Sequence, residues 1–150
     1  MDQARRGELP RVIARLRSGW AVLGPSQLLE GYALLLPDPV VGDLTDLKGS
    51  DRGRFLDDMA SLGDAVSAVC RPRRLNFAML GNVEPALHAH VIPRYAHEPV
   101  PLRDKPIWSY AREVWDAPEH AFDAQRHAGL MARLRAALRE ADGAAAGGPG

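Results

Sequence analysis

At 150 residues the chain has the length of one domain, and a domain of that size buries roughly two-thirds of the surface its unfolded form exposes, enough for a real hydrophobic core. Apolar residues make up 46% and charged residues 25%, and nineteen basic side chains balance nineteen acidic ones, so no net field draws the protein to nucleic acid or to an anionic membrane. The single cysteine, Cys70, excludes an intrachain disulfide and a zinc ribbon of cysteine pairs; the apolar runs are too short to span a bilayer, and the N-terminal stretch with Asp2, Arg5, Arg6 and Glu8 lacks a signal-peptide core, so a cytoplasmic location is expected.

Leu9, Val12, Ile13 and Leu16 recur at helical spacing with arginines on the other side, which predicts a short amphipathic helix within residues 3–17 despite Pro10. Trp20 to Leu23 reads as a first strand, with Gly24-Pro25-Ser26 as its turn. Tyr32 to Leu36 reads as a second strand, and its unbroken apolar run predicts burial on both faces. From Asp51 to Cys70, Phe55, Met59, Leu62, Val66 and Val69 repeat at three and four, with Asp57, Asp58 and Asp64 on or near the polar side; this is a helix that Ser50 or Asp51 can cap and Pro72 ends. Leu75 to Leu80 and Ala86 to Ile92 follow as strands, joined by a loop short enough for an antiparallel pair. Residues 93–117, with four prolines, read as an extended segment over the surface. A last helix from Pro118 to Ala141 carries Phe122, Leu130, Met131, Leu134 and Leu138, with His120 and His127 on one side, and an Ala/Gly-rich flexible tail occupies 143–150. This order is that of a single α+β domain, residues 1–142, built on an antiparallel sheet.

The chemistry concentrates in Pro85-Ala86-Leu87-His88-Ala89-His90-Val91-Ile92-Pro93-Arg94. In an extended run, residues two apart share a side, so His88 and His90 face one way while Leu87, Ala89 and Val91 anchor the other. Imidazole titrates near neutrality and serves as nucleophile, proton carrier or metal ligand. Upstream stands Leu75-Asn76-Phe77-Ala78-Met79-Leu80-Gly81-Asn82, and downstream Pro106-Ile107-Trp108. Together these segments resemble the short bacterial, diadenosine polyphosphate hydrolase-like branch of the histidine triad (HIT) family. That branch carries an Asn-aromatic strand, a Leu-Gly-Asn turn, a His-x-His-x-His strand ending in Ile-Pro-Arg, and a later Pro-hydrophobic-Trp stretch. The first histidine of the triad is Ala86 here, and the aromatic between the second and third is Ala89.

The resemblance implies a five-stranded antiparallel sheet with packed helices and a homodimer. It also implies attack on the α-phosphorus of a dinucleoside polyphosphate or nucleoside phosphoramidate through a nucleotidyl-histidine intermediate. The nucleophile maps onto His88 and the phosphate-contacting histidine onto His90, and covalent catalysis by neutral imidazole is chemically sound. Asn82 and the amides of the Gly81-Asn82 turn are candidate donors to the phosphoryl oxygens, although Gly-Asn also simply makes a turn. Asn76 and Arg94 match family positions; a strand-start role for the first and an exposed ion pair for the second are the plainer readings. The expected partner is a small nucleotide, with no nucleic acid and no membrane, and no tightly bound cofactor is expected beyond a divalent ion brought by a polyphosphate. Two other classes stand beside this one. A His-x-His metal site would need a third ligand from His97, Glu84, Glu98 or Cys70. In a binding protein without turnover, His88 and His90 hold a nucleotide unreacted, and Ala86 favours that case. His97 would replace the missing ring only if the Tyr95–Pro99 stretch, read as exposed, curled back.

Overall fold

The computed structural model describes residues 2–146. Strands β1 (Val12–Arg15), β2 (Gly19–Leu23), β3 (Ala33–Pro37), β4 (Arg74–Ala78) and β5 (Ala89–Arg94) form one antiparallel sheet in the order β1-β2-β3-β5-β4. Helices α1 (Asp2–Arg5), α2 (Gly49–Cys70), α3 (Val100–Arg103), α4 (Arg112–Trp115) and α5 (Ala128–Ala146) complete it, with single 3₁₀ turns at Ile107–Ser109 and Pro118–His120. The two long helices pack against each other and cover one sheet face. There Ala21, Leu23, Ala33, Leu35, Ala89 and Val91 meet Phe55, Leu62 and Val66 of α2 and Leu130, Leu134 and Leu138 of α5 in one core. Among the described residues no helix is long and apolar enough to cross a membrane.

Several elements differ from expectation for identifiable reasons. The helix expected over 3–17 is confined to Asp2–Arg5, and β1 (Val12–Arg15) lies within the rest. Gly7, at φ +70°, and Pro10 break the helix, while an irregularity between Val12 and Ala14 interrupts the two-residue alternation of β1. Ile13 and Leu16 thus both reach the core at a spacing of three, which imitates a helix. Arg135 of α5 donates from Nε to the Ile13 carbonyl at 2.8 Å, satisfying the irregular edge. Gly19 opens β2 because a Cβ there would lie 1.9 Å from the Leu36 carbonyl oxygen.

Helix α2 begins at Gly49 with Lys48 at the N-cap and no side-chain cap, so Ser50 and Asp51 fall inside the first turn instead of capping it. Asp51 still places a negative charge by the positive helix end. Asp58, expected on the polar side, is buried: its carboxylate accepts from the Ser18 amide at 2.7 Å and hydroxyl at 2.6 Å, tying α2 to the β1–β2 turn. Arg71 ends the helix in the left-handed region before Pro72.

The segment after β5 is folded into short helical turns where an extended strap was expected. The C-terminal helix starts at Ala128, ten residues later than expected, because Pro118–His120 forms its own turn and Ala121 bridges to Ser26. His120 therefore lies in that turn and His127 just ahead of α5, rather than on one helix face. α5 runs on to Ala146, through the start of the expected tail, and residues 147–150 lie outside the described residues.

Candidate active site

The sheet face away from α2 and α5 carries the chemistry. Register places Leu34 and Ala78 on either side of His90, and Asn76 opposite Ile92, so these side chains share that face. β5 begins at Ala89, which leaves His88 immediately before the strand; the alternation still holds, since Leu87, Ala89 and Val91 are buried in the helix-side core. The two imidazoles stand 4.7 Å apart, inclined at 72°.

Each ring is held by its Nδ1. His88 Nδ1 lies 2.8 Å from the Ala86 carbonyl oxygen, which can only accept, so His88 carries its proton on Nδ1 and keeps a lone pair on Nε2. His90 Nδ1 lies 2.6 Å from the Tyr32 hydroxyl. Burial, with His88 nearby, lowers the His90 pKa to about 4, and burial holds the Tyr32 phenol well above its usual range. Both are therefore uncharged at neutral pH. Tyr32 has no other acceptor for its hydroxyl proton among the described residues, so it donates to Nδ1, and His90 carries its own proton on Nε2. The pair thus offers one nitrogen lone pair and one N–H donor. Trp108 meets the His90 ring edge-on at 5.1 Å, and Trp115 meets Tyr32 edge-on at 5.3 Å.

Two cavities border the histidines, and a third lies along the neighbouring strands. One of about 420 Å³ borders both histidines and is walled by Leu34, Leu36, Pro37 and Val40, with Glu84 and Ala86 at its margin. This explains the unbroken apolar run of β3, expected to be buried on both faces: Ala33, Leu35 and Pro37 are buried, whereas Leu34 and Leu36 are half-buried pocket walls. A second, of about 340 Å³, lies between His88, Gly81, Met79 and Leu44. Ala86 borders both. A third, of about 700 Å³, follows β4 and β5 from Ala78 to Arg74 and is bounded by Trp108.

Of the residues singled out in the sequence, the fold brings together His88 and His90, with Gly81 beside His88. Asn82 is exposed and borders neither cavity at His88. Arg94, read as an exposed ion pair, is instead 4% exposed. Its guanidinium bonds the buried Glu98 carboxylate at 2.9–3.2 Å, the carbonyls of Leu102 and Lys105 at 2.8 and 2.6 Å, and Asn76 Oδ1 at 3.2 Å. Glu98 also accepts from Tyr110 at 2.7 Å. Arg94 and Asn76 thus fasten the segment that carries Trp108. His97 is exposed, stacks on Tyr95 at 5.1 Å and borders neither cavity at His88. No group of three or more His, Cys, Asp or Glu among the described residues is arranged to hold a metal ion, and Glu98 is committed to Arg94.

Tyr32 and Trp108 were not legible as site residues. Tyr32 is 58 positions from His90, and its one sequence signal is a hydroxyl inside an otherwise apolar strand.

No protein-family model matches the chain, and no curated protein matches it. Solved structures do. A histidine triad protein from Bradyrhizobium japonicum is similar at 22% identity with a TM-score of 0.72, over 85% of this chain and 89% of that one. One from Marinobacter aquaeolei VT8 is also 22% identical, with a TM-score of 0.72, over 86% and 88%. A hypothetical histidine triad nucleotide-binding protein from Sulfolobus tokodaii is 13% identical, with a TM-score of 0.69, over 93% and 90%. At such identities the likeness is one of architecture: the five-stranded antiparallel sheet with packed helices is the fold of histidine triad proteins.

Proposed function

We propose that this chain is a histidine triad protein of the short bacterial, diadenosine polyphosphate hydrolase-like kind that transfers a nucleotidyl group to water through His88. The reading is supported above all by the His88 geometry: Nδ1 is tied to the Ala86 carbonyl, so the Nε2 lone pair is free beside an apolar cavity. The nucleoside occupies that cavity against Leu34, Leu36 and Val40, and the α-phosphate sits between the two rings. His88 Nε2 forms a bond to the α-phosphorus as the bond to the leaving group breaks, its electron pair departing with that group. His90 donates from Nε2–H to a phosphoryl oxygen, where charge builds in the transition state. Water then attacks the same phosphorus, the P–N electrons return to Nε2, and the water's proton is lost to solvent. A dinucleoside polyphosphate and a nucleoside phosphoramidate are the two substrate classes in view. No tightly held metal takes part. The working unit is a homodimer in the cytoplasm, and the free outer edge of β4 is consistent with pairing to a second copy.

Intact-protein mass spectrometry of rapidly quenched protein, exposed to diadenosine tetraphosphate and to adenosine phosphoramidate, tests this directly. An adenylyl adduct, with AMP release, that is present in wild type and absent in His88→Ala is expected; AMP release by His88→Ala at the wild-type rate refutes the covalent route. The second reading, a nucleotide-binding protein without turnover, is favoured by Ala86, and it predicts AMP binding with neither adduct nor release.

A further inference from the structure

His90 is held by a hydrogen bond from Tyr32 to Nδ1, and its ring is set among three others. Tyr32 lies nearly parallel to it at 5.9 Å, while His88 and Trp108 meet it at 72° and 76°. A bond at Nδ1 fixes the tautomer but leaves rocking about that point unopposed, and the swing is felt at Nε2. A ring set edge-on resists that motion. Trp108, with its centroid 5.1 Å from that of His90, is placed to do so. Its side chain is 50% exposed, so burial alone does not hold it. It stands in the 3₁₀ turn Ile107–Ser109, and both flanks of that turn are tied to Arg94. Arg94 follows His90 by four residues on β5 and therefore shares its face. Ahead of the turn, the guanidinium donates to the carbonyls of Leu102 at 2.8 Å and Lys105 at 2.6 Å. Behind it, the Tyr110 hydroxyl donates at 2.7 Å to Glu98 Oε2, the oxygen that also accepts from Arg94 at 2.9 Å. Between these ties Ile107 is buried in one apolar cluster with Ile92 and Tyr32.

We infer that Trp108 is a positioning residue for the nucleotidyl transfer, and that the buried Arg94–Glu98–Tyr110 network sets it against His90. This rests on the reading of His88 as nucleophile and His90 as phosphoryl donor. A buried ion pair is a weak source of stability beside apolar side chains of the same volume, because both charges must leave water. What it supplies is direction, since charge-assisted bonds fix angle as well as distance. Here that direction ties β5, which carries the donor, to the turn that carries the ring bracing it. Donor and brace thus share one reference. A slip of the segment by about an ångström moves Nε2–H off the phosphoryl oxygen, a displacement that costs up to about 100-fold in rate. Trp108 acts through His90 and not by holding substrate, so its loss falls on kcat and spares KM.

AMP release from diadenosine tetraphosphate is measured for Trp108→Leu, Trp108→Phe, Tyr110→Phe and the double variant Trp108→Leu/Tyr110→Phe. Trp108→Leu is expected to lower kcat about tenfold with KM within about twofold of wild type, and Trp108→Phe, which keeps a ring, to restore most of the loss. Tyr110→Phe removes one bond to Glu98 and no ring, and is expected to lower kcat about threefold; in the Trp108→Leu background that loss disappears, because Tyr110 acts through Trp108. A Trp108→Leu kcat at the wild-type level, an effect confined to KM, no rescue by phenylalanine, or equal losses from Tyr110→Phe in both backgrounds overturns the inference. A second readout needs no turnover. The His90 Cε1–H signal in proton NMR senses the Trp108 ring; it is expected to move in Tyr110→Phe and to stay in place when the same change is made in Trp108→Leu. An unmoved signal in the first comparison, or an equal shift in both, overturns the inference. If wild type releases no AMP and forms no His88 adduct, the nucleotidyl-transfer reading fails, and the NMR comparison decides on its own whether Trp108 and the network brace His90.

Discussion

Tyr32→Phe isolates the bond that fixes the second histidine. The substitution removes one hydroxyl from a residue 3% exposed and keeps the ring that stacks near His90 at 5.9 Å and meets Trp115. No side-chain volume of consequence is lost, so the effect is that of leaving His90 Nδ1, in a residue 8% exposed, without a donor. An unsatisfied buried group costs about 1 to 3 kcal/mol, and the loss is expected in stability. If the same bond also orients His90 toward the phosphoryl oxygens, the rate falls by about five- to 150-fold. A further consequence separates orientation from mere packing. A hydroxyl that donates to Nδ1 stabilises the neutral imidazole, so its removal moves the His90 pKa upward from about 4. Nitrogen-15 NMR of the histidine rings measures this: wild type shows an unprotonated Nδ1 on His90 and a protonated Nε2, and the variant titrates at higher pH. A protonated Nδ1 in wild type, or a pKa that stays put in Tyr32→Phe, refutes Tyr32 as the donor to His90.

Glu98→Gln removes one partner from an ion pair whose side chains are 5% and 2% exposed, leaving Arg94 charged and buried, so a loss of about 3 to 5 kcal/mol is expected. Thermal denaturation should register a drop of more than about 6 °C; a shift under 2 °C would mean that the network contributes little. Stability should also fall as pH drops from about 6.5 toward 4. In that window the unfolded His90 takes up a proton that the folded one refuses, an effect of at most about 3 kcal/mol. Urea midpoints at pH 7.0 and 4.5 check this against His90→Gln, whose smaller slope over the same interval is required. Ala86→His places an imidazole at a position bordering both the 340 and 420 Å³ cavities. AMP release is expected to rise about five- to 100-fold if the absent ring only supported its neighbours, whereas a fall shows that substrate uses the space.

Much of the scaffold is local and therefore readable in sequence. The α2 repeat at three and four, the short β4–β5 connection and the alternation through Leu87, Ala89 and Val91 follow from periodicity, and all three meet in one core. What failed was non-local. The edge strand β1 imitates a helix because its alternation is broken near Ile13 and repaired by Arg135, 122 residues away. Leu34 and Leu36 read as core because periodicity registers apolar faces but not whether protein or ligand covers them. Arg94 at a strand end reads as a surface cation, and only the folding back of residues 95–110 supplies the carboxylate and carbonyls that bury it. Within the site, the two histidines were visible in three residues of sequence, whereas Tyr32, which hydrogen-bonds one of them, was not.

The backbone clarifies what the alanine at position 86 takes away. The atom that orients His88 is the carbonyl oxygen of residue 86, which any side chain there would provide. His90 is oriented by Tyr32, which stands immediately before β3. Neither imidazole depends on a side chain at position 86 for its tautomer. Relative to the triad pattern that the sequence resembles, what position 86 lacks is a third polar ring at the junction of two cavities.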